Sequence, residues 1–365
     1  MSAVPASSTP GALGYRMPAE WDRHDATWVA WPHETRDWPG KFSVIPWTYA
    51  EIVRQLSWEE NVEILVEDPR HLNRARKVLS QSGVDPTRLR FHVCRTNRSW
   101  IRDSGPTFVR QSFRGGGARP SVGLVHWQFN AWAKYDNWQL DRMVPDWIAH
   151  HLDLPLWQAR TADRWVVLEG GAIDVNGSGL LLATVECLLH KTQARNPGLS
   201  RPALEDVFRE YLGVEEVVWL GRGITGDDTH GHVDDVARFV GPRAVLAVTS
   251  PDTSDPDFLA LRENWETLEA HRLRTGGRLD VRALPSPRPI VFSGQRLPAS
   301  YANFYIANRT VLVPTFDDPK DTEALDVIRR SFPGREVVGI RSRDLVWGLG
   351  TIHCLTQQQP ARPVS

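Results

Sequence analysis

Gly348-Leu349-Gly350-Thr351-Ile352-His353-Cys354-Leu355-Thr356-Gln357-Gln358-Gln359-Pro360, close to the C-terminus, is the stretch from which the organisation of the chain can be worked out. Its glycines allow sharp turns and close approach of the backbone to a bound group. The alternation after them predicts a short strand with Ile352, Cys354 and Thr356 on one face. Taken alone, Cys354 reads as a small buried apolar residue, the usual fate of a free thiol. Its company makes it a candidate nucleophile. Turn-marked stretches bearing acids or a histidine stand upstream: Trp100-Ile101-Arg102-Asp103-Ser104-Gly105-Pro106, Glu169-Gly170-Gly171 and Gly231-His232-Val233-Asp234-Asp235, with another special-looking stretch around Asn303. Such stretches recur at roughly 50 to 70 residues, each interval holding strands and about one helix, the mark of a repeated supersecondary unit. Five ββαβ-like units around an axis would bring these residues to one centre. A doubly wound sheet is the competing α/β arrangement, and it does not account for so many hairpins.

The elements between these stretches follow from hydrophobic period and turn residues. Strands are expected at 26–31, 63–66, 89–94, 107–110, 122–129, 165–168, 217–220, 278–284 and 336–340. Hairpins are expected across Asn176-Gly177, across Gly241-Pro242, and between 300–308 and 310–314. Helices are expected at 48–60, 69–81, 141–152, 204–212, 257–275 and 322–331. Arg114-Gly115-Gly116-Gly117 reads as a turn, because no Lys-Ser/Thr follows to make it a phosphate cradle.

The chain has 365 residues, 41% of them hydrophobic, enough for a large core. Its 43 Lys and Arg against 44 Asp and Glu give a net charge of -1, which offers no electrostatic reason for nucleic acid as a partner. Three cysteines, Cys94, Cys187 and Cys354, are too few and too scattered for a disulfide framework and fit a reducing compartment. No run approaches a membrane span. The stretch 1–14 reads as a flexible tail without the apolar core of a secretory signal, leaving 15–365 as a single catalytic domain in a cytoplasmic protein. Sixteen tryptophans suit either packing between layers or stacking on a planar cation.

The chemistry stays open on residues alone. As a strand, Gly231-His232-Val233-Asp234 would put His232 and Asp234 on one side, for metal binding, structural pairing or acid/base work. His230-Gly231-His232-Val233-Asp234 also has the spacing of a metal half-site, without a matching second cluster. Asp103 could pair with Arg102 or cap a turn, and Glu169 could be a solvent residue at a strand end.

Trp-x-Arg-Asp-x-Gly-Pro at 100–106, Phe129-Asn130-Ala131-Trp132, Leu168-Glu169-Gly170-Gly171 with Glu186-Cys187-Leu188-Leu189, Gly231-His232-Val233-Asp234, Tyr301-Ala302-Asn303-Phe304-Tyr305 and Ile352 to Pro360 occur in this order. Together they resemble the agmatine deiminase and bacterial-type peptidyl-arginine deiminase family, from about Met17 to Pro360. The resemblance implies the pentein fold, a five-bladed α/β propeller, and metal-free, cofactor-free hydrolysis of a guanidinium group. It implies Cys354 as nucleophile, His232 as general acid/base and Glu169 as the partner of that histidine. It further implies Asp103 and Asp234 as the guanidinium-binding carboxylates, Trp100 along the aliphatic chain, and Gly350 beside the substrate. A small guanidino substrate and water would be the partners, with no nucleic acid or membrane, and a homodimer left open.

The residue types suit that casting. A guanidinium is planar, cationic and rich in forked donors, so two carboxylates clamp it. Its carbon is a poor electrophile, which calls for a thiolate. The expected reaction is agmatine to N-carbamoylputrescine and ammonia through a covalent amidino-thioether. The alternatives are another guanidino substrate (free, modified or peptidyl arginine), a metallohydrolase built on His230, His232 and Asp234, and a non-catalytic binding propeller. Two departures touch the rim of the site. Where the family typically reads Gly-Gly-Gly-Asn before Ile-His-Cys, this chain has Gly348-Leu349-Gly350-Thr351, and Asp- or Asn-Gly-His becomes His230-Gly231-His232, with Asp235 in place of Asn. Lys134 could meet the carboxylate of a free arginine or lie solvated at the surface.

Overall fold

The computed structural model describes residues 8–111 and 122–362, so the expected turn at Arg114-Gly115-Gly116-Gly117 lies outside the described residues. Five sheets share one plan, a short antiparallel pair followed by a helix and a parallel strand. In chain order, β1 (Tyr15–Arg16) adds to the edge of the second sheet. The first unit runs β2 (His24–Ala30), α1 (Ile45–Ser57), β3 (Asn61–Val66), α2 (Pro69–Leu79) and β4 (Leu89–Val93), all parallel. After α3 (Ile101–Ser104), the second unit is β5 (Thr107–Gln111), β6 (Val122–His126), α4 (Val144–Leu152) and β7 (Leu156–Gln158).

The third unit is β8 (Asp174–Val175), β9 (Leu180–Thr184), α5 (Val185–Leu189), α6 (Arg201–Leu212) and β10 (Glu216–Leu220). The fourth is β11 (Ala237–Phe239), β12 (Ala244–Thr249), α7 (Phe258–Ala270) and β13 (Asp280–Pro285). A separate hairpin, β14 (Ile290–Phe292) and β15 (Gln295–Leu297), precedes the fifth unit. That unit is β16 (Tyr305–Ile306), β17 (Thr310–Thr315), α8 (Asp321–Ser331) and β18 (Glu336–Arg341). The last strand, β19 (Gln357–Pro360), returns to pair antiparallel with β2, so the end of the chain completes the sheet begun at its start. Right-handed crossovers make such strand–helix–parallel-strand units the economical way to cover a short sheet.

Most expected elements occur within a few residues. Helix starts carry capping residues, Asp68 for α2 and Ser200 for α6, each accepting from a backbone N–H of the first turn. The helix expected at 141–152 opens with a 3₁₀ turn at Asp141–Met143. The strand expected at 165–168 is absent, leaving only isolated bridges. Its place beside a partner strand is taken by a side chain: Asn196 accepts from the Val167 N–H at 2.9 Å and donates to the Val167 carbonyl at 2.7 Å. Residues 8–14, read above as part of a flexible tail, lie against α6, with the Gly11 N–H on the Glu210 carbonyl at 2.7 Å.

The core divides into large apolar clusters between sheets and helices. Tryptophan serves it heavily, Trp28 and Trp38 being fully buried. A buried ionic network ties the units together. Arg238 bonds Asp174 and Glu20 at 3.0 Å each, and Glu20 also meets His353 at 2.8 Å. Among the described residues no helix is long and apolar enough to cross a membrane.

Candidate active site

Each unit delivers one special residue just before its first strand: Asp103 before β5, Glu169 before β8, Asp234 before β11, Asn303 before β16 and Cys354 before β19. Neither of two expected local conformations holds. Cys354 lies in a 3₁₀ turn, His353–Leu355, and not on an alternating strand. The His353 N–H bonds the Asn303 carbonyl, curling the backbone before β19 begins. His232 and Asp234 likewise flank a 3₁₀ turn, Val233–Asp235. There the Asp227 carboxylate accepts from Gly231 N at 2.7 Å and His232 N at 3.0 Å, replacing ladder bonds with a cap.

The turns still bring the residues together. A pocket of about 310 Å³ is lined by Asp37, Arg98, Trp100, Asp103, Trp132, Asp136, Asp228, Leu349, Gly350 and Cys354, among others. Cys354 Sγ lies 3.9 Å from Asp234 Oδ2. His232 lies with Nε2 3.5 Å from Glu169 and Nδ1 3.9 Å from Asp103, and all three side chains are buried. Gly171 is the floor that permits this crowding: a Cβ there would come within 2.5 Å of His232 Nδ1, 3.0 Å of Asp103 and 3.1 Å of Asp234. Asp103 is not paired with Arg102, which bonds the His353 carbonyl and Gln358 instead. Asp103 accepts from Gly171 N and Trp132 Nε1, both at 2.9 Å. Glu169 is wholly buried and not a strand-end solvent residue; Arg195 donates to both its oxygens.

Burial pushes the Cys354 thiol well up, and Asp234, Asp235 and Asp103 add to the effect, so without a bound cation it is a neutral thiol. Burial also raises Asp103, with Asp234 and Glu169 adding to it and His232 opposing. For His232, burial alone would lower the imidazole, but Asp103, Cys187 and Glu169 outweigh it and hold its pKa well above the ordinary value. Burial would raise Glu169 and Asp234, yet Arg195 and His232 keep the first low, and His353 with His232 the second. Asp234 Oδ1 and both His232 ring nitrogens are buried without a hydrogen-bond partner. This is unfilled capacity of the kind a polar ligand satisfies.

Three residues of the site were given no role by the sequence. Asn303 donates to Cys354 Sγ at 3.2 Å and to Asp235 at 3.1 Å; the recurrence near 303 and the motif Tyr301-Ala302-Asn303-Phe304-Tyr305 marked it without giving it a role. Trp132 holds Asp103 from a turn in which Ala131, Trp132 and Ala133 all have positive φ, 49, 59 and 52°. None of the three is Gly or Asn, so nothing in the sequence announces it. Asp37, from a distant loop, accepts from Trp100 Nε1 at 3.1 Å and pairs with Arg98.

His230 turns away to His190, 3.3 Å distant, so the metal half-site read from His230, His232 and Asp234 is not assembled. Glu169, Cys187 and His232 do place possible ligand atoms within 4.8 Å of one another. Arg195, buried on Glu169, already occupies that corner with positive charge, which a metal ion would have to displace.

A sequence model described as Porphyromonas-type peptidyl-arginine deiminase matches residues 16–360, nearly the whole chain. The chain belongs to that family. Curated relatives within reach include the agmatine deiminase of Pseudomonas aeruginosa strain LESB58, 36% identical with 97% of this chain and 98% of the relative covered. The agmatine deiminase of Ectopseudomonas mendocina is also 36% identical, with the same coverage. Among solved structures, an agmatine deiminase of Enterococcus faecalis superposes with TM-score 0.89 at 31% identity, covering 99% of this chain and 100% of that one. A C. jejuni agmatine deiminase with substrate bound gives TM-score 0.83 at 27% identity, covering 95% and 97%. The mixed α/β fold is thus the fold of this family's agmatine deiminases.

Proposed function

We propose that this protein hydrolyses agmatine to N-carbamoylputrescine and ammonia. The observation that carries the reading is a thiol, Cys354, held 3.9 Å from a buried carboxylate, Asp234, in a pocket that Asp103 also lines. A guanidinium between Asp103 and Asp234 fills the vacant acceptor and cancels the negative charge that keeps the thiol protonated. Cys354 then releases its thiol proton to solvent in the pocket and attacks the guanidinium carbon as the thiolate. His232, protonated beside Glu169, gives its proton to the departing nitrogen, which leaves as ammonia. The remaining amidino-thioether takes up water, whose proton His232 accepts, and the carbon–sulfur bond breaks to give the ureido product and the free thiol.

The far end favours agmatine over arginine. The pocket lining carries Asp37, Asp103, Asp136 and Asp228 against Arg36 and Arg98, an acidic balance suited to a dication. Lys134, which could have met an arginine carboxylate, is paired with Asp228. The test is ammonia release across agmatine, arginine, methylated arginines and blocked arginyl peptides. Agmatine should give the highest kcat/KM, and a higher value for any arginine derivative contradicts the reading. Activity should survive exhaustive chelation and die with a thiol alkylator; the reverse favours metal hydrolysis.

The five ββαβ units, with β19 returning to β2, support a closed five-bladed propeller of the pentein type with the pocket at its centre. Three free thiols support a reducing, cytoplasmic setting.

A further inference from the structure

Gly348-Leu349-Gly350 lines one side of the pocket, and only its middle residue carries a side chain. Its neighbours have no room for one. A Cβ at Gly348 would fall 2.5 Å from Trp38 Nε1 and 2.9 Å from Trp100, and one at Gly350 would fall 2.9 Å from Trp100 and 3.2 Å from Cys354 Sγ. Leu349 sits at φ 67 and ψ 21°, the left-handed region where glycine is relaxed and a branched L-residue is strained. Its side chain is half-buried and packs, with Trp347, against the largest apolar cluster. Trp347 in turn meets Phe292 of the β14–β15 hairpin edge-on. A strained conformation kept at a binding site points to a use for the side chain that strains it.

We propose that Leu349 is a specificity-determining residue that bounds the pocket mouth along the substrate's alkyl chain. It admits unbranched guanidino-alkylamines and excludes chains that carry a carboxyl, ester or amide beside the distal amine. An apolar wall offers no donor to such an oxygen, so the branch would be stripped of water without a replacement partner. Among the acids of the pocket lining, Asp228 is already paired with Lys134 and Tyr135, which leaves Asp136 to accept the amine and offers nothing to a carbonyl. The proposal rests on the agmatine deiminase reading and assigns the rim of that site.

The experiment compares kcat/KM for agmatine and argininamide in the wild type, Leu349→Gly and Leu349→Asn. Assayed at about pH 6.5, below the ordinary range of an α-amino group, both substrates are dications, so charge is held nearly fixed and only the branch differs. Asparagine tolerates the left-handed region and keeps the backbone while removing the apolar wall. In both variants the agmatine-to-argininamide ratio should fall at least about tenfold. For agmatine the loss should lie in KM, with kcat within about twofold, because the chemistry at Cys354 is untouched. An unchanged ratio in an agmatine-active protein overturns the proposal, as does an equal loss on both substrates with a lowered thermal midpoint, the mark of packing alone. A wild type inactive on agmatine overturns the deiminase reading, and the proposal with it.

Discussion

A thiol buried among three acids is a poor nucleophile until a cation joins it, and this governs the residue scale. Cys354 is held up by burial and by Asp234, Asp235 and Asp103, with Asn303 donating to its sulfur in opposition. Its alkylation by neutral iodoacetamide, without substrate, should therefore keep rising with pH after an ordinary thiol has fully ionised; a plateau in the ordinary thiol range would contradict this. Cys354→Ser should lose at least about a thousandfold in kcat, as other nucleophile removals do. Asp37 sets the acid side. Burial, only partly offset by Arg98, pushes its carboxyl up to about 6. Protonation below that pH weakens its hold on Arg98 and Trp100, so kcat/KM for agmatine should fall as pH drops through about 6. Asp37→Asn should lower kcat/KM above that pH and remove this part of the profile; an unaltered profile would assign the limb elsewhere. The seven residues named from the resemblance do gather within this small region, but Asp37 could not be read from the chain. Its contribution depends on a loop about 60 residues from Trp100 folding over that ring, a long-range closure without local pattern.

At the scale of elements, short turns do the positioning, and these were the least legible part of the chain. Regular strands and helices announced themselves through period and turn residues, as α2 and the hairpin across Asn176-Gly177 illustrate. The turns at Val233–Asp235 and His353–Leu355 looked like strands because their alternation is real, while their conformation is set by groups outside that alternation: the Asp227 carboxylate in the preceding loop for the first, and the Asn303 carbonyl from another unit for the second. The missing strand at 165–168 fails for a similar reason, since Asn196 supplies the bonds a neighbour would have made. Gly171 in its turn offers a test of this economy. Gly171→Ala must push apart His232, Asp103 and Asp234, the nearest at 2.5 Å. Displacements of that order near the reacting atoms cost about a hundredfold in rate. The variant should lose that much kcat/KM with a far smaller change in far-ultraviolet circular dichroism, and retained activity would show the floor to be slack.

For the whole molecule, the recurrence of special stretches along the chain corresponds to five sheets of one strand plan, each entered just after a special residue. What recurrence could not show is how the units are pinned. Glu20, Arg238, Asp174, His353 and Asp234 form a buried chain of contacts linking the first, third, fourth and last segments. Arg238→Met would leave Glu20 and Asp174 buried without their cation, and should destabilise by about 3–5 kcal/mol in urea titration. A loss under about 1 kcal/mol would mean that the neighbouring histidine and Arg102 suffice. The convergence of these units matters to function only if Cys354 bonds to the substrate's carbon. Acid quenching of the wild-type protein during turnover of agmatine, followed by mass spectrometry of its peptides, addresses that directly. A covalent amidino-thioether gives a Cys354-bearing peptide heavier by one agmatine less one ammonia, absent in Cys354→Ser. An unmodified Cys354 peptide from an enzyme whose burst of ammonia precedes the ureido product, or an adduct on Cys94 or Cys187, would contradict it.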